Sequence, residues 1–219
     1  ESAVKAEEAE AAAQQALEAA QNRLGAVFDQ NPRAIANELN WIERQAARLG
    51  IEFGTLSQQY GKFAVAARAA NFESSATRDV FLAVAEAGRV NKLSIDQLEG
   101  IFLALEQMIS KGKVTSEELR RQLGDRLPGA FNIMADALGM TTAQLDDMMK
   151  KGQVLADQET LTAFADQLNQ RFGAQLPESL RTTTTLLGRF ANELFQAQLR
   201  VGEGGFIEAL NEALERLIT

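Results

Sequence analysis

The sequence predicts an all-α fold, and three observations support this. Ala and Leu, both strong helix formers, make up close to three in ten residues, while the chain contains only 3 Pro. No stretch alternates apolar and polar residues over the length of a strand. Apolar residues instead recur at spacings of three and four, as on one face of a helix. We therefore expect a compact bundle of short helices, with longer helices at both ends.

Composition excludes most familiar active-site chemistry. The chain has 219 residues with no His and no Cys, so disulfides, zinc and haem sites, and Ser-His-Asp or Cys-His catalysis are excluded. The net charge of −8 disfavours binding to phosphate backbones or anionic lipid. No run of about 18 apolar residues predicts a transmembrane helix. Because the chain begins at Glu1 rather than Met, we expect an excised or processed piece.

The first helix is predicted over residues 1–28, where small apolar residues form one thin stripe. Such a stripe fits a surface helix, and it also fits the end of a longer upstream helix or coiled coil. The Asn31-Pro32 pair then ends the pattern, because Pro disfavours a helical residue before it. The stripe consists of Ala13, Leu17, Ala20, Leu24 and Val27.

Three further helices are predicted before residue 90. The second runs from about Pro32 to Arg48 and stops at Gly50, where the glycine ends it. The third opens at Thr55, which has capping-box spacing with the Gln three residues later. The fourth opens at Ser75 or Thr77. The residues expected to face inward are Ile35, Leu39, Ile42, Ala46 and Leu49 in the second helix and Val80, Phe81, Val84 and Ala85 in the fourth.

A corner of the form Gly-x-Val recurs three times between predicted helices. The Gly takes the left-handed position that ends one helix, the Val anchors the connection in the core, and a Ser, Thr or Asp caps the next helix. Spacings of 24 and 40 residues, with no matching sequence between the copies, argue against a solenoid. The corners are 88–90 before Ser94, 112–114 before Thr115 and 152–154 before Asp157.

The segment 94–111 has the clearest apolar face and is predicted as a core helix. Pro128 and Pro177 are expected in the first turns of later helices. The apolar face consists of Ile95, Leu98, Ile101, Phe102, Leu105, Met108 and Ile109. Shorter helices are predicted at about 115–123, 128–138, 142–150 and 157–172.

A longer helix is predicted over 178–200, although its start contains the poor helix formers Thr182 to Thr185. Residues 202–205, Gly-Glu-Gly-Gly, mark a flexible linker before a last short helix. The expected inward faces are Leu180, Thr184, Leu187, Ala191, Leu194 and Phe195 in the longer helix and Phe206, Ile207, Leu210, Leu214 and Leu217 in the last.

No catalytic constellation stands out, and no cofactor is expected. The acidic and basic run at 146–151 lacks the spacing of a calcium loop and fits a solvated helix end. Residues 112–115 lack the preceding strand and upstream glycine of a P-loop. Arg120, Arg121 and Arg126, near two short helices, leave a helix-turn-helix open as an alternative.

Residues 104–140 carry several sequence words in a fixed order. They are Ala-Leu-x-Gln at 104–107, Ser-Lys-Gly-Lys-Val at 110–114, Glu-Glu-Leu-Arg-x-Gln-Leu-Gly at 117–124 and Leu-Pro-Gly-Ala at 127–130. The series closely resembles the tape measure domain of long-tailed bacteriophages and prophages, with a match over about 55–172. The positions of this signature are Gln107, Ser110, Lys111, Gly112, Val114, Glu118, Leu119, Gln122, Leu123, Gly124, Leu127, Pro128, Gly129 and Ala130.

The resemblance implies a fold signature rather than an active site, because its glycines, leucines and Glu118 suit helix ends, packing and capping. It implies a structural protein of the virion tail, assembled in the host cytoplasm, that templates the tail tube and sets its length. The implied partners are tail tube and tail tip proteins, a tail assembly chaperone and further copies of the protein. No membrane or specific nucleic acid is implied for this segment.

Three domains are expected: an N-terminal helical extension at 1–50, the tape measure domain at 51–175 and a C-terminal helical segment at 176–219. Two other function classes stay open. One is a helical adaptor or helix-turn-helix regulator. Its binding would change the electrophoretic mobility of DNA, and this binding would weaken as salt increases. The other is a cell-wall hydrolase that uses carboxylates, although no Glu–Asp pair carries a recognisable motif.

Overall fold

The computed structural model describes the backbone of residues 2–200 and the side chains of residues 11–199, and within them the fold is all-α, as predicted. The predicted linker at 202–205 and the last helix at 206–217 lie outside the described residues. The α-helices are α1 (Ser2–Val27), α2 (Pro32–Leu49), α3 (Phe53–Ala69), α4 (Ser74–Val90), α5 (Ile95–Lys111), α6 (Ala130–Ala137), α7 (Thr142–Lys150), α8 (Gln158–Phe172), α9 (Leu176–Ser179) and α10 (Thr183–Arg200). A π-helix at Glu117–Leu123 lies between α5 and α6, and a 3₁₀ turn at Gly173–Gln175 precedes α9.

The chain divides into two units, which are described separately. Among the described residues, unit 1 contains 2–61 and 180–200. Unit 2 is Lys62–Ser179. The boundary falls within α3, so this helix contributes its first half to unit 1 and its second half to unit 2.

Unit 1 is built on α1, α2 and α10, which pack against one another. The predicted stripe of α1 is confirmed, because Ala13, Ala20, Leu24 and Val27 are buried and Leu17 is half-buried. Helix α2 ends at Gly50 as predicted, and Asn31 caps its start, which was not predicted from the sequence. The side chain of Asn31 accepts hydrogen bonds from the backbone N–H groups of residues 33 and 34, and the helix ends at a left-handed Gly50 with φ 62°.

Unit 2 has its core between α4, α5 and α8, with α6 packed on α8. Three phenylalanines form an aromatic cluster in this core. The rings of Phe81 and Phe102 stack at a centroid distance of 4.3 Å, and the Phe63 ring lies 6.0 Å from that of Phe81. All three side chains are almost fully buried, so a large apolar area is removed from water here.

Distant residues replace the local caps that the sequence predicts for α3 and α4. Helix α3 begins at Phe53 rather than Thr55, because the Phe53 N–H donates to the side chain of Asn192 at 2.8 Å. Helix α4 begins at Ser74, ahead of both predicted caps. The Glu73 N–H there donates to the side chain of Gln158 at 2.7 Å, and Thr77 donates to the Glu73 carbonyl from inside the helix.

The Gly and Val of two of the three predicted Gly-x-Val corners lie as predicted. The cap expected at Thr115 is wrong, because its hydroxyl contacts the Glu118 side chain and Ser116 precedes the π-helix without a side-chain cap. Gly112 and Gly152 have φ of 67° and 66°, and the valines that follow at 114 and 154 are buried. The corner at Gly88 is wrong, because Gly88 lies inside α4 and packs closely on Leu98. Lys92 takes the left-handed position after this helix, with φ 54°.

Four further residues lie elsewhere than predicted. Thr184, expected on the inward face of α10, is exposed because the neighbouring Thr185 takes the inward position. Ile95 is 41% exposed because it is the first residue of α5. Leu187 is 63% exposed because α10 turns a polar face inward, with Thr185 and Asn192 buried. Pro128 precedes α6 instead of lying in its first turn, and the left-handed Gly129 is the N-cap.

Candidate functional site

The signature residues form one structural feature of unit 2, the connection from the end of α5 through the π-helix to the start of α6. It holds a short backbone pairing, a buried carboxylate and a set of arginine contacts. We take this connection as the candidate functional site because the resemblance rests on it.

Two of the Gly-x-Val corners pair with each other. The Val114 N–H donates to the Val154 carbonyl at 2.8 Å, and the Ala156 N–H donates to the Gly112 carbonyl at 3.3 Å. This antiparallel bridge joins the end of α5 to the segment before α8. The sequence indicated both corners but gave no signal that they meet, because the contact joins residues about 40 positions apart.

Glu118 is the buried charge of the site. Its side chain is 1% exposed and accepts hydrogen bonds from the ammonium group of Lys111 and from the Thr115 hydroxyl. Lys111 keeps half of its side chain in solvent. The sequence predicted a capping role for Glu118, whereas the structure shows a contact between side chains that ties the π-helix to the last turn of α5.

The segment Glu117–Leu123 is π-helical, with five-residue hydrogen bonds such as that from the Gly124 N–H to the Leu119 carbonyl at 3.1 Å. Leu119, Leu123 and Leu127 are fully buried. The wider turn thus keeps the leucines in the core while it places Glu118 beside Lys111. Gly124 ends the π-helix in a right-handed conformation with φ −66°.

Gln122 and Arg126 link the π-helix and the turn after it to α5. The Gln122 amide donates to Gln107 at 3.2 Å, and Arg126 donates to the Gln122 carbonyl. A Cβ atom at Gly100 would overlap the Arg126 guanidinium, so this arginine lies directly on the backbone of α5. Both glutamines are half-buried, and their role is to fix the position of the turn.

Arg120 is held by two different contacts. Its guanidinium lies 3.6 Å from the centroid of the Phe131 ring, and it donates to Asp146 at 2.8 Å. Lys150 donates to the same carboxylate at 2.6 Å. Hydrogen bonds from Lys150 and Arg120 therefore lower the pKa of Asp146 below its ordinary value.

The helix-turn-helix alternative is not favoured by this geometry. Arg120 and Arg126 are used in the contacts above, and Arg121 pairs with Glu117 at 3.3 Å. Helix α6, which would enter a DNA groove, carries no basic residue and buries half of its length. The element lacks the basic face that binding to phosphate requires.

The remaining signature residues shape the backbone or face solvent. Ser110 and Pro128 are exposed, Gly129 has φ 79°, and Ala130 is buried at the start of α6. In the part of the chain that the structure describes, no group of acidic residues could hold a metal ion. None of the described helices is long and apolar enough to cross a membrane.

A second set of polar contacts, in unit 1, was missed by sequence reasoning. The buried Asn192 accepts from the Phe53 N–H and donates to the Ile51 carbonyl, both at 2.8 Å. Arg189 donates to the carbonyls of Ala47 and Arg48 at the end of α2. Residues of α10 thus satisfy the backbone where α2 ends and α3 begins. The sequence signal for this face is the seven-residue spacing of Thr185 and Asn192, which places both on one side of the helix. Because both residues are polar, the pattern indicates a surface position rather than a buried one.

Every buried polar contact described above fixes helix ends and corners, which is the construction of a helical structural module. A protein-family model described as "Tape measure protein" matches residues 5–203, and the chain belongs to this family.

A curated relative supports the same assignment. The chain is 35% identical, over 144 residues, to a protein of Salmonella phage Felix O1 (isolate Felix O1-VT1) described as a probable tape measure protein. The match covers 64% of this chain and 19% of the relative, so the chain spans about a fifth of the relative's length. No solved structure matches the chain.

Proposed function

We propose that this chain is a structural module of a phage tape measure protein that templates the tail tube and sets tail length. The observation that carries the proposal is the family match over residues 5–203. The polar contacts of the signature segment support it, because they act on the fold and leave no group poised for chemistry. Catalysis has no part in the proposal.

We place the length measurement itself outside residues 55–172. A helical ruler works because each residue adds a rise of about 1.5 Å, so chain length becomes distance. The longest described helix, α1, has 26 residues and would span about 39 Å. The helices of unit 2 are shorter and pack on one another, so their residues do not add up along one direction. The domain boundaries at residues 50 and 175 stay a prediction.

The test is tail length in virions that carry a deletion or a tandem duplication of residues 55–172 in the full tape measure protein. If these residues measured length as a straight helix, tails would become about 180 Å shorter or longer. We expect tails of unchanged length from the duplication, as measured by electron microscopy. Lengths that follow residue number in both variants would contradict the division of labour.

The proposed location is the virion tail, after assembly in the host cytoplasm. The proposed partners are tail tube and tail tip proteins, a tail assembly chaperone and further copies of the same protein. The acidic balance of the chain, −8 overall, supports a tail lumen that DNA later crosses, because like charges avoid adhesion.

A further inference from the structure

The solvent-exposed side of α2 carries arginines and asparagines. Arg33, Asn37, Asn40 and Arg44 are all exposed. On a helix of 3.6 residues per turn they fall within an arc of about 60°, and they extend over about 16 Å along the helix axis. No carboxylate of α2 falls within this arc, which lies opposite the buried Ile42. We call these four residues the arginine face of α2.

The two arginines of this face differ from the exposed cations of unit 2, which are paired. Arg121, Lys150 and Lys151 each contact a carboxylate four residues earlier in the chain. The guanidinium groups of Arg33 and Arg44 have no ion pair or hydrogen bond within the part of the chain that the structure describes. Both arginines are therefore available to an anionic partner.

An aromatic ring borders the arginine face. Trp41 is half-buried, and its ring centroid lies 5.1 Å from that of the buried Tyr60 in α3. Trp41 lies one helical turn from both Asn37 and Arg44. Trp and Arg are enriched among the residues that dominate binding energy at protein interfaces. The face and its border therefore have the composition of a protein-binding surface.

We propose that the arginine face of α2 binds an acidic helix of a partner protein. Such a helix presents carboxylates three and four residues apart, which matches the spacing of positions 33, 37, 40 and 44. Each guanidinium can pair with a carboxylate through two parallel hydrogen bonds. The asparagine amides between the arginines can donate to further carboxylate oxygens. This docking surface does not depend on the proposed role in tail length.

The number of charges favours a protein helix over a nucleic acid. Duplex DNA carries one negative charge per about 1.7 Å of its axis, so about nine phosphates face a length of about 16 Å. Two arginines would neutralise few of these phosphates, and the net charge of −8 adds repulsion. A helix with a few carboxylates along one side matches the face in charge and in length.

Tryptophan fluorescence of the 219-residue chain measures the binding, because Trp41 is the single tryptophan and borders the face. The probes are two synthetic helical peptides without aromatic residues. They differ only at four positions spaced as 33, 37, 40 and 44, which are Glu in one peptide and Gln in the other. We expect the Glu peptide to bind about tenfold tighter at low salt, and the difference to shrink as salt screens the charges. A Glu peptide that binds no tighter than the Gln peptide would overturn the proposal.

A pair of charge-matched variants tests whether the binding uses this face. Arg33→Gln/Arg44→Gln should weaken binding of the Glu peptide by about tenfold, because both guanidinium–carboxylate pairs are lost. The control, Arg121→Gln/Lys151→Gln, removes the same charge from unit 2 and should change the affinity by less than about twofold. Circular dichroism checks that both variants keep the helix content of the unmodified chain. Equal losses in the two variants would show that only the overall charge matters, which would contradict the proposal.

The same variants distinguish two other occupants. Duplex DNA that binds more tightly than the Glu peptide, and loses this binding in Arg33→Gln/Arg44→Gln, would assign the face to phosphates. Light scattering that shows self-association of the chain, again lost in the arginine variant, would assign the face to a second copy. Either result would overturn the assignment to a partner helix.

Discussion

At the scale of single residues, the buried carboxylate of Glu118 has the clearest energetic consequences. It is 1% exposed, whereas its partner Lys111 is half in solvent. A charge taken out of water is costly unless it is paired, so most of the sensitivity should lie in keeping Glu118 compensated. The three exposed pairs of Asp146, Asp147 and Glu117 with Lys150, Lys151 and Arg121 resemble ordinary surface ion pairs.

Lys111→Met should therefore lower the free energy of unfolding more than Glu118→Gln does. We expect Lys111→Met to lower the free energy of unfolding by about 3 kcal/mol, since it leaves the buried carboxylate without its cation. Glu118→Gln keeps a hydrogen-bonding side chain and should cost about 1 kcal/mol. Lys150→Met, at an exposed pair, should cost less than about 1 kcal/mol. Urea unfolding followed by circular dichroism measures all three, and a Lys111→Met cost no larger than that of Lys150→Met would refute the ranking.

Residue positions were predictable where one local rule decided them. Ser94 and Asp157 cap their helices through their own side chains, and a pattern of residue types indicates such caps. Asn192 and Gln158 were not predictable as caps, because each serves a backbone N–H that is far away in sequence. The neighbouring sequence does not indicate which polar side chains become buried against residues that are distant along the chain.

At the scale of elements, the crossing of α10 over the end of α2 depends on two glycines. A Cβ atom at Gly188 would overlap the carbonyl group of Gly50, and one at Gly50 would overlap the backbone of Thr185. Gly50 is also left-handed, with φ 62°. The absence of two side chains lets the helices approach until Arg189 and Asn192 can reach the backbone around residues 47–53.

Gly188→Ala should reverse the usual sign of a Gly→Ala change in a helix. Alanine normally stabilises a helix interior by about 1 kcal/mol. At Gly188 we expect a loss of about 2 kcal/mol, because backbone on both sides of the crossing must move. The matched control is Gly54→Ala in α3, where the new Cβ would meet nothing closer than the Ala16 side chain at 3.9 Å. Thermal unfolding of both variants gives the comparison, and a stabilising Gly188→Ala would show that the crossing is looser than described.

The existence of helices was predictable from periodicity, but their inward faces were only partly so. Helix α5 buries Leu98, Phe102 and Leu105 as its apolar stripe predicts. The inward face of α10 is not the one that its leucines predict, because the close crossing at Gly188 turns Thr185 inward and Leu187 outward. The π-helical turn was also beyond sequence reasoning, since the residues 117–123 fit an α-helix by type and spacing.

At the scale of the whole molecule, the absence of His leaves carboxylates to govern how stability depends on pH. Burial raises the pKa of Glu106 above its ordinary value of 4.5, and the charge of Lys62 offsets part of the shift. The folded state therefore binds this proton more tightly than the unfolded state. Ionisation of Glu106 costs stability at neutral pH, and the cost disappears as the pH falls below 4.5.

Glu106→Gln should raise the melting temperature at pH 7. The difference in melting temperature should disappear below pH 4.5, because the variant and the unmodified chain then both carry a neutral side chain at position 106. Differential scanning calorimetry between pH 4 and pH 8 measures the difference. The exposed Glu178→Gln is the control and should follow the unmodified chain. A Glu106→Gln advantage that persisted undiminished at pH 4 would contradict the assigned cause.

The paired corners at Gly112–Val114 and Val154–Ala156 have a consequence for how the chain can gain or lose residues. The chain leaves α5 and returns to α8 at one shared point, so the excursion between them begins and ends in the same place. Residues gained or lost inside such an excursion change the mass of the protein without changing the span from one flanking helix to the other. Under the proposed function, the length of this stretch can change without altering the distance that helices elsewhere in the protein measure.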